Sequence, residues 1–593
     1  MKRRDFIKAS VLAASVAQAS RIDGITQTIF DNKKVFGANR FGLFWANTNS
    51  AQLVSVSDFE GDKFPNTMNY SLPDSIQNEN RVLYPMVRKS YLKAGKPSKS
   101  ELRGKDEFVR VSWDTALDLA AKALKENFDK YGAESIYGEC YWWGGSGKVS
   151  WGRTVAHRML KVLGGYVEES GDYSTGAGLV IMPHVLGSSA VYDTPTKWKA
   201  IVKNAKNVVF WGTDPIVTNQ ISSIPPTHDC YIGMQDLKKA GTKTFSVNVM
   251  TNDTARYYGS ETILVRPNTD TAMIIGMCHH LFTSGLYDAE FIKKYTVGFN
   301  KFKAYFMGET DDKIVKDAAW ASKICDLPAK LIKELADKFM DNRTMLMSGW
   351  GMQRAHHGEQ AHWTMVTLAA MLGQIGLPGG GFGLSYHYSN GGAPTCKGGV
   401  IGGINSSSVG NFDEQGNFIG TAFGEFDSHG QFIGKAAKGA AGTGQSWLQK
   451  ATKYAFPVAR IADALLNPGK AIDHNGKKIT YPDIDFIYWV GGNPLVHHQD
   501  INTLVKAWRK PRTIVVNDPY WTPTAKMADI VFPTTTQYER NDITMTGDYS
   551  NMNIVPMKQV VAKFAEARDD YQIFSDLCKA YADKLVLAYT ETG

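Results

Sequence analysis

Two short stretches carry residue types that could do chemistry. The first is the hydroxyl-rich turn Glu169-Ser170-Gly171-Asp172-Tyr173-Ser174-Thr175-Gly176-Ala177-Gly178. Taken alone it is a polar, glycine-flanked loop, because serine and threonine beside glycine and aspartate are common where the backbone turns. The second is Gly138-Glu139-Cys140-Tyr141-Trp142-Trp143-Gly144-Gly145. A phenol O–H and an indole N–H are both donors, so Tyr141 and Trp143 could hold a substrate oxygen and stabilise charge developing on it. Three consecutive aromatics equally suit a core, and the string by itself leaves both readings open.

Other candidates are weaker. His356-His357 and His497-His498 invite a metal site, but adjacent histidines are expected to point apart and rarely chelate together. Cys140, Cys230, Cys278, Cys325, Cys396 and Cys578 are scattered, with no Cys-x-x-Cys pair. That spacing excludes a zinc ribbon and an ordinary iron–sulfur run. The glycine run Leu377-Pro378-Gly379-Gly380-Gly381-Phe382-Gly383 lacks GxGxxG spacing and does not follow a clear strand, so it is not read as a nicotinamide site. Its expected role is close approach of backbone to something large.

The elements around these stretches alternate. Ala205 to Trp211, Lys243 to Val249 and Glu261 to Val265 read as buried strands, each ending in a polar turn, with a helix from Thr271 to Thr283. Arg343 to Gly349 begins another block, and Ile487 to Val490 and Thr513 to Asn517 repeat the grammar near the end. This βαβα rhythm predicts an α/β fold with parallel sheets flanked by helices. Ligands in such sheets bind at the carboxyl ends of strands. Ser112 is expected to cap a helix that starts at about Trp113. Residues 391 to 444 are rich in glycine, serine and alanine. They contain a tandem repeat, Phe412 to Gly420 and Phe426 to Gly434, expected to form paired hairpins.

The turn at Ser174 resembles the metal-ligand segment of the bacterial dimethyl sulfoxide/trimethylamine N-oxide reductase family, and similar segments follow in family order: Trp350 to Gln360 and Gly491 to Asp500. The resemblance covers nearly the whole chain and leans toward the N-oxide branch. It implies a multi-domain molybdopterin oxidoreductase fold around a bis-pterin cleft, with molybdenum held by two molybdopterin guanine dinucleotides and no iron–sulfur cluster. Ser174 would be the protein's metal ligand, a hard oxygen suited to a high-valent metal. Tyr141 and Trp143 match the family's active-site donors, although Glu139-Cys140 and Gly144-Gly145 depart from the residues usual there. Thr218, Asn219, Asn248, Thr269, Asp270, Trp350, Gly351, Arg354, Asn493 and His497 match cofactor-contacting neighbourhoods, with Asp270 as the guanine-binding acid. The implied reaction is two-electron reduction of trimethylamine N-oxide to the amine and water in anaerobic respiration, with a c-type cytochrome as donor. Dimethyl sulfoxide and biotin sulfoxide are the alternative substrates.

The resemblance also divides the chain. A signal is expected at 1–19, an N-terminal segment at 20–105, the first part of an α/β domain at 106–200 and a Rossmann-like domain at 201–390. An insert and return segment at 391–480 and the second part of the earlier domain at 481–593 complete it. The family's C-terminal pterin-capping domain is expected to be missing, which raises a non-catalytic remnant as a second possibility. Arg3-Arg4 with Phe6, Ile7 and Lys8, a short apolar stretch and Ala17-Gln18-Ala19 resemble a twin-arginine export signal. That implies a bacterial periplasmic protein, a cytoplasmic maturation chaperone and the twin-arginine translocase as partners. No segment reaches eighteen uninterrupted apolar residues, so no membrane anchor is expected. The net charge of +8 over 593 residues is too mild to point to nucleic acid. The 26 tyrosines, 14 tryptophans and 28 phenylalanines suit deep clefts for a large ligand.

Overall fold

The computed structural model describes residues 33–49, 52–94, 99–139, 145–163, 165–193, 195–222, 224–386, 411–412, 418–420, 455–474, 476–546 and 553–591. The export signal, Tyr141 and Trp143, and the second repeat unit at 426–434 lie outside them.

In chain order, β1 (Lys33–Asn39), β2 (Gly42–Asn49) and β3 (Gln52–Asp58) form an antiparallel meander. No strand is expected from the sequence within this part of the 20–105 segment. Its period of two is visible in β2, where Phe44 and Ala46 are buried and Trp45 and Asn47 are less so. Next come β4 (Met86–Arg88), β5 (Phe108–Arg110), β6 (Ile136–Glu139) and β7 (Glu168–Ser170). Five strands follow: β8 (Asn207–Trp211), β9 (Lys243–Asn248), β10 (Glu261–Leu264), β11 (Thr344–Ser348) and β12 (Gly381–Gly383). The first repeat unit holds the short antiparallel pair β13 (Asn411–Phe412) and β14 (Phe418–Gly420), as expected. β15 (Ala455–Pro457) runs parallel to β7, and β16 (Ala471–His474) and β17 (Lys477–Thr480) form a hairpin. β18 (Phe486–Val490), β19 (Thr513–Asp518) and β20 (Ile530–Pro533) precede a last hairpin, β21 (Asp542–Thr546) and β22 (Asn553–Met557).

Two sheets organise these strands. The first has the order β10-β9-β8-β11-β12 and is parallel throughout. It is buried on both faces, which is why Asn207–Trp211 reads as a continuous apolar run. Val209 and Trp211 pack with the helices Asp270–Thr283 and Glu359–Met371. Val208 and Phe210 pack on the other side with the helices Trp198–Asn204 and Cys230–Lys239. The second sheet has the order β5-β4-β20-β19-β18-β6. Its four strands from β20 to β6 are parallel, but β4 and β5 are antiparallel. The expectation of parallel sheets therefore holds for the first and is corrected for this edge of the second. A strand on an open edge needs no crossover helix and can run either way.

Local signals explain several boundaries. Ser112 Oγ accepts the Thr115 N–H at 3.1 Å and starts the helix Trp113–Tyr131, as expected. The glycine run packs against the chain's own backbone: a Cβ on Gly379, whose φ is +71°, would lie 2.9 Å from the Ala205 nitrogen and 3.0 Å from the Ala200 oxygen. Its end forms β12 itself. Buried ion pairs then bind the N-terminal segment to the second sheet. Asp529 takes Arg88 at 2.7 Å and Arg103 at 2.5 Å, and Arg81 meets Glu539 at 2.8 Å with both side chains fully buried. Among the described residues no helix is long and apolar enough to cross a membrane.

Candidate active site between two sheet edges

In the first sheet the chain order reverses between β8 and β11, the switch point where loops diverge and leave a crevice. The two loops there run close together. A Cβ on Gly349 would lie 2.1 Å from the Gly212 oxygen, so only glycine fits. Around this point the structure gathers most of the sequence-predicted cofactor residues. Asp270, at the start of its helix, accepts the buried Trp211 indole N–H at 2.7 Å through Oδ1. Burial holds its carboxyl above the usual range, opposed by that hydrogen bond. Asn268 reaches the His356 carbonyl at 3.2 Å, tying the loop after β10 to the loop after β11. The second of these loops carries Trp350, Gly351 and Arg354, with Trp350 buried and Arg354 exposed at the rim.

The remaining residues of this group are partly committed to the fold. Thr218 Oγ1 donates to the Asp214 carbonyl at 3.0 Å and Thr269 Oγ1 to that of Arg266 at 2.7 Å. Asn248 caps its own strand end by accepting from the Val249 N–H at 2.8 Å. Asn219 donates to the carbonyls of Pro215 and Tyr386, while its buried Oδ1 has no hydrogen-bond partner among the described residues. The same holds for the buried hydroxyls of Thr213, Ser222 and Ser246. Buried polar atoms normally find partners. Orphans such as Thr213 and Asn219 in the loop after β8, with glycines where backbones cross, fit a large polar ligand such as a dinucleotide.

Ser174 lies in the turn between β7 and the helix Gly176–Leu186. Gly171 turns the chain at φ +80°, and Asp172 Oδ1 accepts the Thr175 N–H at 2.6 Å. Two clamps hold the turn. Gln353, from the loop after β11, donates Nε2 to the Ser174 carbonyl and accepts the Gly178 N–H at 2.7 Å. On the other side the Tyr173 hydroxyl lies 2.7 Å from His498 Nδ1 and 3.1 Å from the Val458 oxygen. Burial and the neighbouring His497 push the His498 imidazole down to about 4, so it is neutral at ordinary pH. The Ser174 hydroxyl belongs to neither clamp. A cavity of about 360 Å³ opens beside the turn, lined by Ser170, Asp172, Gly176, Glu359 and His474 among others.

The second sheet offers a matching edge. Asn493 and His497 bracket the one-turn helix after β18, where Asn493 Oδ1 accepts the Thr524 hydroxyl at 2.7 Å. Burial lowers the His497 pKa. Beyond β18, β19 and β20 lies a cavity of about 260 Å³, lined by Arg40, Arg153, Asn517, Arg540 and Asp570 among others. Burial raises Asp518 to about 7 and Asp570 to about 6. Sequence reasoning missed Gln353, Asn517, Asp518, Arg540 and Asp570 as site residues. The strand-end rule could have flagged Asn517 and Asp518; no local signal marks the others. The paired histidines also need a correction. His356 and His357 do not point apart, because their ring centroids lie 3.9 Å apart, with His357 at φ +57°.

A family model described as molybdopterin oxidoreductase matches residues 81–580. The chain belongs to the molybdopterin oxidoreductase family. It is 44% identical over 576 residues to the dimethyl sulfoxide/trimethylamine N-oxide reductase of Rhodobacter capsulatus, covering 97% of this chain and 66% of that protein. It is also 44% identical over 584 residues to the trimethylamine-N-oxide reductase of Haemophilus influenzae, covering 98% and 67%. The chain thus spans about two thirds of the length of these relatives. The acetylene hydratase of Pelobacter acetylenicus superposes with a TM-score of 0.58 at 15% identity, over 93% of this chain and 69% of that one, which shows a shared fold.

Proposed function

We propose that this chain is a periplasmic molybdenum reductase that removes oxygen from trimethylamine N-oxide, giving trimethylamine and water. The observation that carries the reading is the Ser174 turn, clamped by Gln353 from the first sheet and, through Tyr173, by His498 from the second. A centre fed by two pterin dinucleotides needs a fixed point between two nucleotide-binding edges, and this turn occupies one. The relatives named for N-oxide and S-oxide reduction support the substrate class.

Molybdenum bis(molybdopterin guanine dinucleotide), when bound, supplies the two electrons and the oxygen-accepting centre. The chain's own residues do the rest. The Ser174 hydroxyl, free of both clamps, is the hard oxygen offered to the metal. Asp270 keeps one carboxylate oxygen for the guanine N–H edge while Trp211 fixes the other. Thr218, Asn219, Asn248, Thr269, Trp350, Gly351 and Arg354 would hold one nucleotide, and Asn493 and His497, with Asn517, Asp518, Arg540 and Asp570, would hold the other. Tyr141 and Trp143, outside the described residues, would donate to the substrate oxygen as it leaves nitrogen. Electrons come from a c-type cytochrome, and export by the twin-arginine route follows loading in the cytoplasm.

The test is molybdenum content together with N-oxide consumption driven by reduced viologen, with dimethyl sulfoxide and biotin sulfoxide as competing substrates. Stoichiometric metal and a preference for the N-oxide in kcat/KM support the reading. A metal-free protein without turnover would make it a remnant, and a preference for an S-oxide would reassign the substrate.

A further inference from the structure

The cavity beside the Ser174 turn is built from both ends of that turn. β15 runs parallel to β7 with Pro457 opposite Ser170, and the Tyr173 hydroxyl lies 3.1 Å from the Val458 carbonyl. One wall, Pro457-Val458-Ala459, is therefore fastened to the strand that leads into the turn and to the turn itself. A second wall comes from the helix Gly176–Leu186, which leaves the turn. Its Ala177, Val180 and Ile181 are spaced i, i+3 and i+4, so they share one helix face, and all three line the cavity.

The polar part of the lining is acidic. Asp172 and Glu359 bring carboxylates, Ser170 a hydroxyl and His474 an imidazole, and no lysine or arginine is among the described residues that line the space. Asp172 is fixed in place by the Thr175 N–H at 2.6 Å and the Thr175 hydroxyl at 3.1 Å. Glu359 stands on the rim with its side chain 40% exposed, 3.9 Å from His357. His474 reaches Ser170 at 3.2 Å, and burial lowers its pKa, so it is neutral at ordinary pH. The volume of about 360 Å³ exceeds what trimethylamine N-oxide needs. At roughly 30 Å³ for each water-sized group, the five non-hydrogen atoms of that molecule take less than half of it.

We propose that this cavity takes aliphatic tertiary amine N-oxides carrying one alkyl chain longer than methyl, with the chain on Val180, Ile181 and Val458 and the nitrogen near Asp172 and Glu359. This rests on the reductase reading, and trimethylamine N-oxide is the smallest member of the class. The nitrogen of an N-oxide carries a full formal positive charge, and the amine product takes a proton from solvent and leaves as an ammonium ion. The sulfide left by a sulfoxide stays neutral. Carboxylates with no lysine or arginine beside them favour the charged nitrogen at both stages. The chain gains by leaving water for aliphatic walls. The reaction itself is unchanged: the N–O bond breaks, nitrogen receives two electrons from the external one-electron donor, and the oxygen leaves as water with two protons.

The test compares N,N-dimethylhexylamine N-oxide with trimethylamine N-oxide, and methyl hexyl sulfoxide with dimethyl sulfoxide, in viologen-linked turnover of the molybdenum-loaded protein. The hexyl N-oxide should have a kcat/KM at least about tenfold above that of the trimethyl compound. Val180→Phe fills the cavity and brings that ratio near one. Val180→Ala, which cannot fail by overpacking, moves the best chain length about one methylene longer. Glu359→Gln lowers kcat/KM for the N-oxides about threefold more than for the sulfoxides, and added salt erases part of the wild-type preference. Calorimetry on the same loaded protein, without turnover, should find N,N-dimethylhexylamine bound more tightly than trimethylamine, a difference lost in Val180→Phe. Equal kcat/KM for the hexyl and trimethyl N-oxides, or a hexyl advantage untouched by both Val180 variants, overturns the proposal. If the hexylamine binds with this dependence and no N-oxide is reduced, the reductase reading fails and the substrate assignment with it, while the cavity stands as an alkylammonium site.

Discussion

The Gln353 amide holds the Ser174 carbonyl across 179 residues of sequence. The same side chain accepts the Gly178 N–H, so a single buried amide spans both ends of the turn. Gln353 comes from the loop after β11, beside Trp350, Gly351 and Arg354. The proposed metal ligand and the proposed nucleotide contacts are therefore one mechanical unit.

Replacing Gln353 with alanine should leave a folded protein with a loose turn. The loss of two hydrogen bonds at a partly buried site costs about 1–3 kcal/mol. A displacement of about an ångström at the reacting centre can cost about a hundredfold in rate. Thermal unfolding and viologen-linked kcat, measured on the same preparation, should show a small shift and a large loss. Equal activity would mean that the turn is held elsewhere.

Ser174→Ala should behave differently. The clamp binds the Ser174 carbonyl and spares its hydroxyl, so the substitution keeps Gln353 in place. Stability should stay within about 0.5 kcal/mol of the wild type, while turnover disappears. X-ray absorption of the loaded variant should show one fewer light-atom ligand at molybdenum.

Asp270→Ala removes the partner of a buried indole. Trp211 Nε1 then has no acceptor at 2.7 Å, a loss of about 1–3 kcal/mol. Guanine released on acid hydrolysis should fall relative to the wild type. Asp270→Asn keeps an acceptor for Trp211 but loses the carboxylate, so it should restore stability without restoring guanine content.

The second edge predicts a pH effect. The folded Asp518 carboxyl titrates at about 7, above its usual 3.8, because it is buried. Its folded pKa is raised, so its contribution is fully present below the ordinary aspartate range and is lost as pH rises through about 7. The loss approaches about 4 kcal/mol at order of magnitude. Chemical denaturation of the cofactor-free chain should find Asp518→Asn gaining on the wild type between about pH 4 and 7 and holding that gain above it. A gain that does not change with pH would argue against a buried, protonated Asp518.

Much of the α/β core was legible because buried parallel strands must be apolar on both faces. Asn207–Trp211, Phe486–Val490 and Thr513–Asp518 carry that mark in five or six residues each. Thr218, Asn248, Asp270 and Asn493 came instead from the family resemblance, and they stand at or after the ends of strands in the two sheets. The meander at 33–58 was legible in principle, through the alternation in Gly42–Asn49, but its period was not read. The antiparallel edge β4–β5 was not legible, because the direction of an edge strand is set by which neighbour it meets.

The sequence by itself determined the strands, their order and the chemical types offered at their ends, since each of these depends on neighbours within a few residues. Only the tertiary structure decided which of those ends meet. Gln353 reaching Ser174, Tyr173 reaching His498 and His474 reaching Ser170 all join segments far apart. A hydrogen bond needs its atoms within about 3 Å, and no periodicity along a chain encodes that distance.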